Sequence, residues 1–305
     1  MNFSFRGFRR PTRAALAVLA CVSWSAAQGA LPLNLPAISD PASTEHHPGK
    51  MIWADLVTPN LAAAKAFYGG LFGWTFQDLQ TAESDYSIAL VDGRPIAGIL
   101  QKSVPAADER RQPTWLTFIA VRDVDAATRI ALSHGAKSVH EPTTYSKRGR
   151  QAVLSDPQGA VFAMLASSSG DPPDYLATPG EWIWSSVFAP DPNRDAGFYK
   201  TVFGYDVFDL PSDDGAQHVI LSSDDYARTA VNTLQPGHRL PHWLSYIRVV
   251  DARVSSTKAV ALGGRVLVEP FVDRHGGKIA VIADPMGAPI GLMEWSDTDL
   301  SLIHI

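Results

Sequence analysis

Of the residues of this chain that could move protons in a reaction, Asp55, His242 and Tyr246 are the best placed. Asp55 follows Trp53 by two positions, so on a strand both side chains point to one face. A carboxylate set among apolar neighbours is expected to have a raised pKa and would suit a general base; a hydrogen-bonded structural carboxylate or a rim charge is the alternative. The same alternation groups Leu116 with Phe118, Trp184 with Ser186, and His242 with Leu244 and Tyr246. His242 and Tyr246 could form an acid/base pair on that shared face. His238 and His242 have the spacing of helical metal ligands, but Pro241 between them opposes a helix, which leaves a structural or surface histidine as the plainer reading. Faces rich in aromatic residues with few polar groups are the usual lining of a small-molecule pocket, and equally of a filled core.

Other chemistries have no support. The one cysteine, Cys21, lies near the N-terminus, so disulfides are excluded, and the chain lacks a nucleophile elbow, a phosphate loop and a dinucleotide fingerprint.

These residues sit in a repeated frame. The stretch from Trp53 to Trp74 returns 131 positions later, from Trp184 to Tyr205, with Phe67, Tyr68, Phe72 and Gly73 recurring as Phe198, Tyr199, Phe203 and Gly204. It reads as a strand, a turn capped by Asn60 or Asp191, and an amphipathic helix with Ala64, Phe67, Tyr68, Leu71 and Phe72 on one side, stopped by Gly73. Weaker echoes start at Val121 and Val249. Strand-like runs follow at Phe76, Tyr86 and Ile96, and Asp156-Pro-Gln-Gly159 and Asp284-Pro-Met-Gly287 suit type I turns before a last strand. The chain therefore holds four βαβββ units in two tandem pairs.

A chain of 305 residues, 46% of them hydrophobic, can bury two ordinary cores. Residues 1–27 carry Arg6, Arg9, Arg10 and Arg13, no acid, an apolar run and the small residues Ser25-Ala26-Ala27, the pattern of a secretory signal. Val18-Leu-Ala-Cys21 loosely fits a lipoprotein box, so a lipid anchor at Cys21 is the alternative and the only route to a membrane that the sequence offers. The expected location is exported, periplasmic or anchored in an outer membrane, with the cytoplasm as alternative. Without the leader, 22 bases face 31 acids, a net charge of −9, which argues against a nucleic-acid partner. By composition, residues 28–48 are a linker, 49–168 a first domain, 169–178 a second linker, 179–297 a second domain and 298–305 a tail.

The fourfold βαβββ order, with Phe-Tyr-x-x-x-Phe-Gly after the first strand of each pair and Asp-Pro-x-Gly before the last, resembles the vicinal oxygen chelate superfamily of glyoxalase I, bleomycin-resistance proteins and extradiol dioxygenases, and within it the two-domain, glyoxalase-like bacterial members. The resemblance implies an α+β fold in which each domain is a curled eight-stranded sheet forming a cup, with the helices outside. It also implies a metal held by His or Glu on first and last strands. The matching positions here are Trp53, Leu116, Ala163, Trp184, Leu244 and Gly291, none able to coordinate. No metal or other cofactor is expected.

Three functions stay open. The first is an exported protein binding a small apolar or aromatic molecule on the cup faces, through Trp53, Asp55, Leu116 and Phe118 or Trp184, Ser186, Leu244 and Tyr246. The second is a metal-independent lyase, isomerase or hydrolase using Asp55, or His242 with Tyr246. The third is a structural role with the cups packed shut.

Overall fold

In the computed structural model, residues 35–80, 85–102, 113–210, 217–234, 240–272 and 277–295 are described. The leader with Cys21, the residue His238 and the tail 298–305 lie outside them. The first half contains β1 (Met51–Thr58), α1 (Leu61–Phe72), β2 (Thr75–Gln80), β3 (Asp85–Val91), β4 (Arg94–Gln101), β5 (Thr114–Ala120), α2 (Val124–Ser133), β6 (Lys137–Tyr145), β7 (Gly149–Ser155) and β8 (Val161–Ser167). The second repeats the order as β9 (Trp182–Ala189), α3 (Pro192–Phe203), β10 (Asp206–Leu210), β11 (His218–Ser223), β12 (Tyr226–Thr233), β13 (His242–Val249), α4 (Ala252–Ala261), β14 (Arg265–Val272), β15 (Lys278–Ala283) and β16 (Pro289–Glu294). Each half forms one eight-stranded sheet, in the orders β2-β3-β4-β1-β5-β8-β7-β6 and β10-β11-β12-β9-β13-β16-β15-β14.

Local sequence explains the elements. The four helices of the described residues each start at a side-chain cap three residues before the amide it holds: Asn60 on Ala63, Asp123 on Ala126, Asp191 on Arg194 and Asp251 on Val254. Gly73 and Gly204 end α1 and α3 in the left-handed conformation, which only glycine adopts without penalty. The strands β6 and β14, which no periodic run announces, are edge strands carrying Pro142 and Pro270 and interrupted by bulges, the places where a sheet tolerates proline.

The convex faces of the two sheets pack together with the helices around them. The main cores therefore lie between the halves. One joins α1 and the outer face of β1 to Ile247, Val249, Ala259 and Leu292; the other joins Ile119, Phe162 and α2 to Phe198, Tyr199 and Trp243. The repeated motifs are what lock this interface. Tyr199 donates from its hydroxyl to Asp156 at 2.7 Å and receives the Trp243 indole N–H at 2.9 Å. On the other side Tyr68 donates to Asp284 at 3.3 Å and receives Trp115 at 3.0 Å. Each Phe-Tyr helix thus reaches across to the Asp-Pro-x-Gly turn of the opposite half, where the Asp also accepts backbone N–H groups of its own turn. With the convex sides spent on each other, the two concave faces remain for function.

Candidate functional site

Cup 1 is built on β1. Trp53 and Asp55 share its concave face, opposite Phe118 and Leu116 on β5 and beside Gly98 on β4. The Trp53 indole N–H and the Tyr86 hydroxyl both donate to Asp55 Oδ1 at 2.8 Å. A Cβ on Gly98 would lie 2.2 Å from that oxygen and 1.8 Å from the Tyr86 hydroxyl, so the glycine makes room for the pair. Arg148, from the β6–β7 hairpin and fully buried, lays its guanidinium 4.1 Å from the Trp53 ring centre. Its Nε donates to the Pro36 carbonyl at 2.8 Å and its Nη2 to the Tyr86 hydroxyl at 3.4 Å. Burial, then the Asp55 charge, pushes the Tyr86 hydroxyl well up and that of Tyr145 up to about 12, so both stay protonated near neutrality.

Cup 1 is largely filled. Leu35 and Ile38 are buried against Trp53, Phe118 and Leu165, so a segment whose composition reads as a linker packs into the concave face. Trp53 is 1% exposed, whereas Asp55 is half-buried.

Cup 2 differs. Trp184 occupies the place of Trp53, but its indole N–H donates to Ser186 at 3.1 Å where the first cup has a carboxylate. Tyr246 stands opposite Trp184 and Leu244 opposite Ser186. The Tyr246 ring lies over Gly291, where an added Cβ would fall 2.0 Å from it. Beside these residues is a cavity of about 220 Å³, lined among others by Tyr175, Trp182, Trp184, Tyr226, Met293 and Trp295. One wall is an ion cluster in which Asp174 takes both Nη groups of Arg228 at 2.7 and 2.9 Å and Lys50 at 2.9 Å. Burial alone would raise Asp174; the hydrogen bonds and charges of Arg228 and Lys50 outweigh it and hold the carboxyl at about 2.

His242 and Tyr246 share a face of β13 but stand four residues apart, about 13 Å along a strand. The His242 ring instead stacks on Phe188 at 5.2 Å, and Tyr246 is buried. The structure does not bring them together as an acid/base pair. It does join Trp53 to Asp55 and Trp184 to Ser186. Sequence reasoning missed Tyr86, Arg148, Tyr175 and Trp295. Arg148 sits in Lys147-Arg-Gly-Arg150, which looks like an ordinary charged hairpin, so nothing local marks it.

The residues present do not fit the metal that the resemblance would imply. Trp53, Phe118, Leu116 and Ala163 line the first cup, with Asp55 as the carboxylate among them, and Trp184, Leu244 and Gly291 hold the matching places in the second. Among the described residues no three His, Cys, Asp or Glu side chains converge.

Comparisons with known proteins agree with this architecture. The family model described as Glyoxalase/Bleomycin resistance protein/Dioxygenase superfamily matches residues 50–164, and that of a glyoxalase-like domain matches residues 185–293. A Mycobacterium tuberculosis protein named "Putative glyoxylase CFP32" is 30% identical over 257 residues, covering 83% of this chain and 98% of its own. The anthracycline biosynthesis protein DauV of a Streptomyces species is 30% identical over 270 residues, covering 82% of this chain and 95% of its own. The fold is shared with the Mn(II)-bound glyoxalase from Novosphingobium aromaticivorans, at TM-score 0.58 and 14% identity over 81% of this chain and 82% of that one. It is shared likewise with the 2,3-dioxygenase LapB of Pseudomonas sp. KL28, at TM-score 0.59 and 12% identity over 82% and 93%.

Proposed function

Because this chain belongs to the glyoxalase/bleomycin resistance protein/dioxygenase superfamily, whose fold offers concave faces to small molecules, we propose that it is an exported member that binds a small apolar or aromatic compound in cup 2 without a metal. The observation that carries this reading is the cavity of about 220 Å³ between Trp184, Trp295 and Tyr226. Aromatic side chains line much of it, with the Lys50–Asp174–Arg228 cluster fixing one polar wall, and a volume below the usual ~300–1,000 Å³ selects a compact ligand. The relative named for anthracycline biosynthesis accords with a small-molecule ligand.

Incubating the purified protein with a metabolite extract and identifying what is retained by native mass spectrometry is expected to give a compact apolar or aromatic compound. Trp184→Ala should weaken its binding by roughly 2 kcal/mol, about thirtyfold, because a central aromatic anchor carries much of the energy of such a site. Dialysis against chelator should leave binding unchanged. Retention that survives Trp184→Ala, or that needs a metal, would sink the proposal.

A second reading rests on Asp55, which keeps partial solvent access while Tyr86 donates to it. On that reading cup 1 performs acid–base catalysis. Turnover of the retained compound, abolished by Asp55→Asn, would replace binding with catalysis. Export rests on the arginine-rich start, the apolar run and Ser25-Ala26-Ala27. N-terminal sequencing of protein from its native host should find cleavage near Ala27, or a lipidated Cys21; an intact Met1 in the cytosol would end that part of the reading.

A further inference from the structure

Arg148 is fully buried, yet among the described residues no carboxylate lies within ion-pair distance of it. Among the same described residues its Nη1 has no hydrogen-bond partner. Buried guanidinium groups are normally matched by an anion, because desolvating the charge is otherwise expensive. Here the acceptor on Nε is a neutral peptide carbonyl, that of Pro36. Asp55 is reached only through the Tyr86 hydroxyl.

That carbonyl belongs to a segment with two differently held parts. Residues 39–47 are fastened to the connection between the halves: the Ser43 amide donates to the Ser169 carbonyl at 2.8 Å, the Asp171 amide to the Glu45 carbonyl at 2.9 Å, and the His47 amide to the Asp171 carboxylate at 2.8 Å. Leu35–Ile38 enters cup 1, held there among the described residues by its two buried aliphatic side chains and the bond from Arg148. The tip could leave while the anchor stays. What it offers the cup is an apolar body next to an oxygen on Arg148, and a carboxylate would offer two oxygens and the missing charge.

We propose that cup 1 is a second ligand site, for a small carboxylate with an aliphatic body, and that Leu35–Ile38 is its resident occupant, displaced when the ligand binds. Affinity in the intact chain is reduced by the fraction of molecules in which the tip is out. Octanoate, whose alkyl chain approximates the two side chains it replaces, is a suitable probe, with octan-1-ol as the neutral control.

In the full wild-type chain, saturating octanoate should raise hydroxyl-radical labelling of the buried Leu35 and Ile38 side chains while residues 43–47 stay protected from hydrogen exchange. By calorimetry, Leu35→Ala/Ile38→Ala should bind octanoate at least about tenfold more tightly than wild type, because the competitor is weakened. Arg148→Met should lose that binding, Trp184→Ala should keep it, and octan-1-ol should bind at least about tenfold more weakly than octanoate, the scale of one charge-assisted contact. Unchanged labelling of Leu35 and Ile38, no gain in the double variant, equal binding of the alcohol, or loss on Trp184→Ala would each overturn the proposal. The labelling measurement stands even if a variant fails to fold, and the Trp184 arm separates this site from the one in cup 2.

Discussion

Trp53→Ala is expected to lower the free energy of unfolding by about 3–5 kcal/mol, the range for removing a large buried aromatic. Trp53 is 1% exposed and packs among Ile52, Phe118, Leu35 and Ile38. Three losses coincide in the variant. The removed ring leaves a void that a sheet face closed by neighbouring strands cannot collapse around. The Arg148 guanidinium loses the surface on which it lies at 4.1 Å. Asp55 loses one of the two donors on its Oδ1. Chemical denaturation of the variant and the wild type measures the difference. Trp184→Ala is the internal comparison, since Trp184 is only partly buried and borders open space. A loss below about 1 kcal/mol for Trp53→Ala would mean that the first cup is not packed as described. The same outcome would remove the basis for a resident occupant there.

Asp195→Asn is expected to stabilise the protein at pH 8 and to change its stability little at pH 4. Asp195 is fully buried in the first turn of α3, and among the described residues no well-aligned hydrogen bond reaches either of its oxygens: the neighbouring Gln158 amide donates to the Asp191 carbonyl at 2.7 Å instead. Burial first, and then the charge of Asp156 across the interface with a smaller push from Asp191, raises its carboxyl from 3.8 to about 7; the nearby Gln158 amide and then Arg194 oppose the shift. The folded chain therefore holds this proton more tightly than the unfolded one. Its contribution to stability is complete below about pH 4 and is lost as pH rises through about 7. Asparagine cannot ionise, so the variant should escape that loss, by roughly 2–4 kcal/mol at pH 8 at about 1.4 kcal/mol per unit. Denaturation midpoints of both proteins between pH 4 and 8 test this, and parallel curves would refute it. Asp195→Ala is a useful companion, because the matching position in the first half is Ala64, fully buried without any charge.

The repeats, the helix caps and the turn chemistry made the architecture readable from the chain alone. The side chains of Asn60, Asp123, Asp191 and Asp251 accept N–H groups only three residues away, and Gly73 and Gly204 meet a conformational demand of their own position. Such signals survive in a linear text because the interaction lies within it. Strand alternation likewise placed Trp53 with Asp55 and Trp184 with Ser186 on their concave faces, and the indole N–H bonds within each pair follow from that two-residue spacing.

The contents of the cups needed the folded molecule. Alternation says which residues share a face but not what stands above it, and the partners of that face come from far along the chain: Arg148 bonds Pro36 across 112 residues and Tyr86 across 62. The reciprocal pairing of Tyr68 with Asp284 and Tyr199 with Asp156 is equally distant, and it exists only because the convex faces of two sheets meet. His242 and Tyr246 show the opposite case. They share a face, as their spacing requires, yet the rise of a strand keeps them about 13 Å apart, so a common face did not become a common site. Local sequence determined the elements and the faces of this protein. Packing between its halves, and the return of Leu35–Ile38 over the first sheet, decided that one cup is filled and the other opens into a cavity.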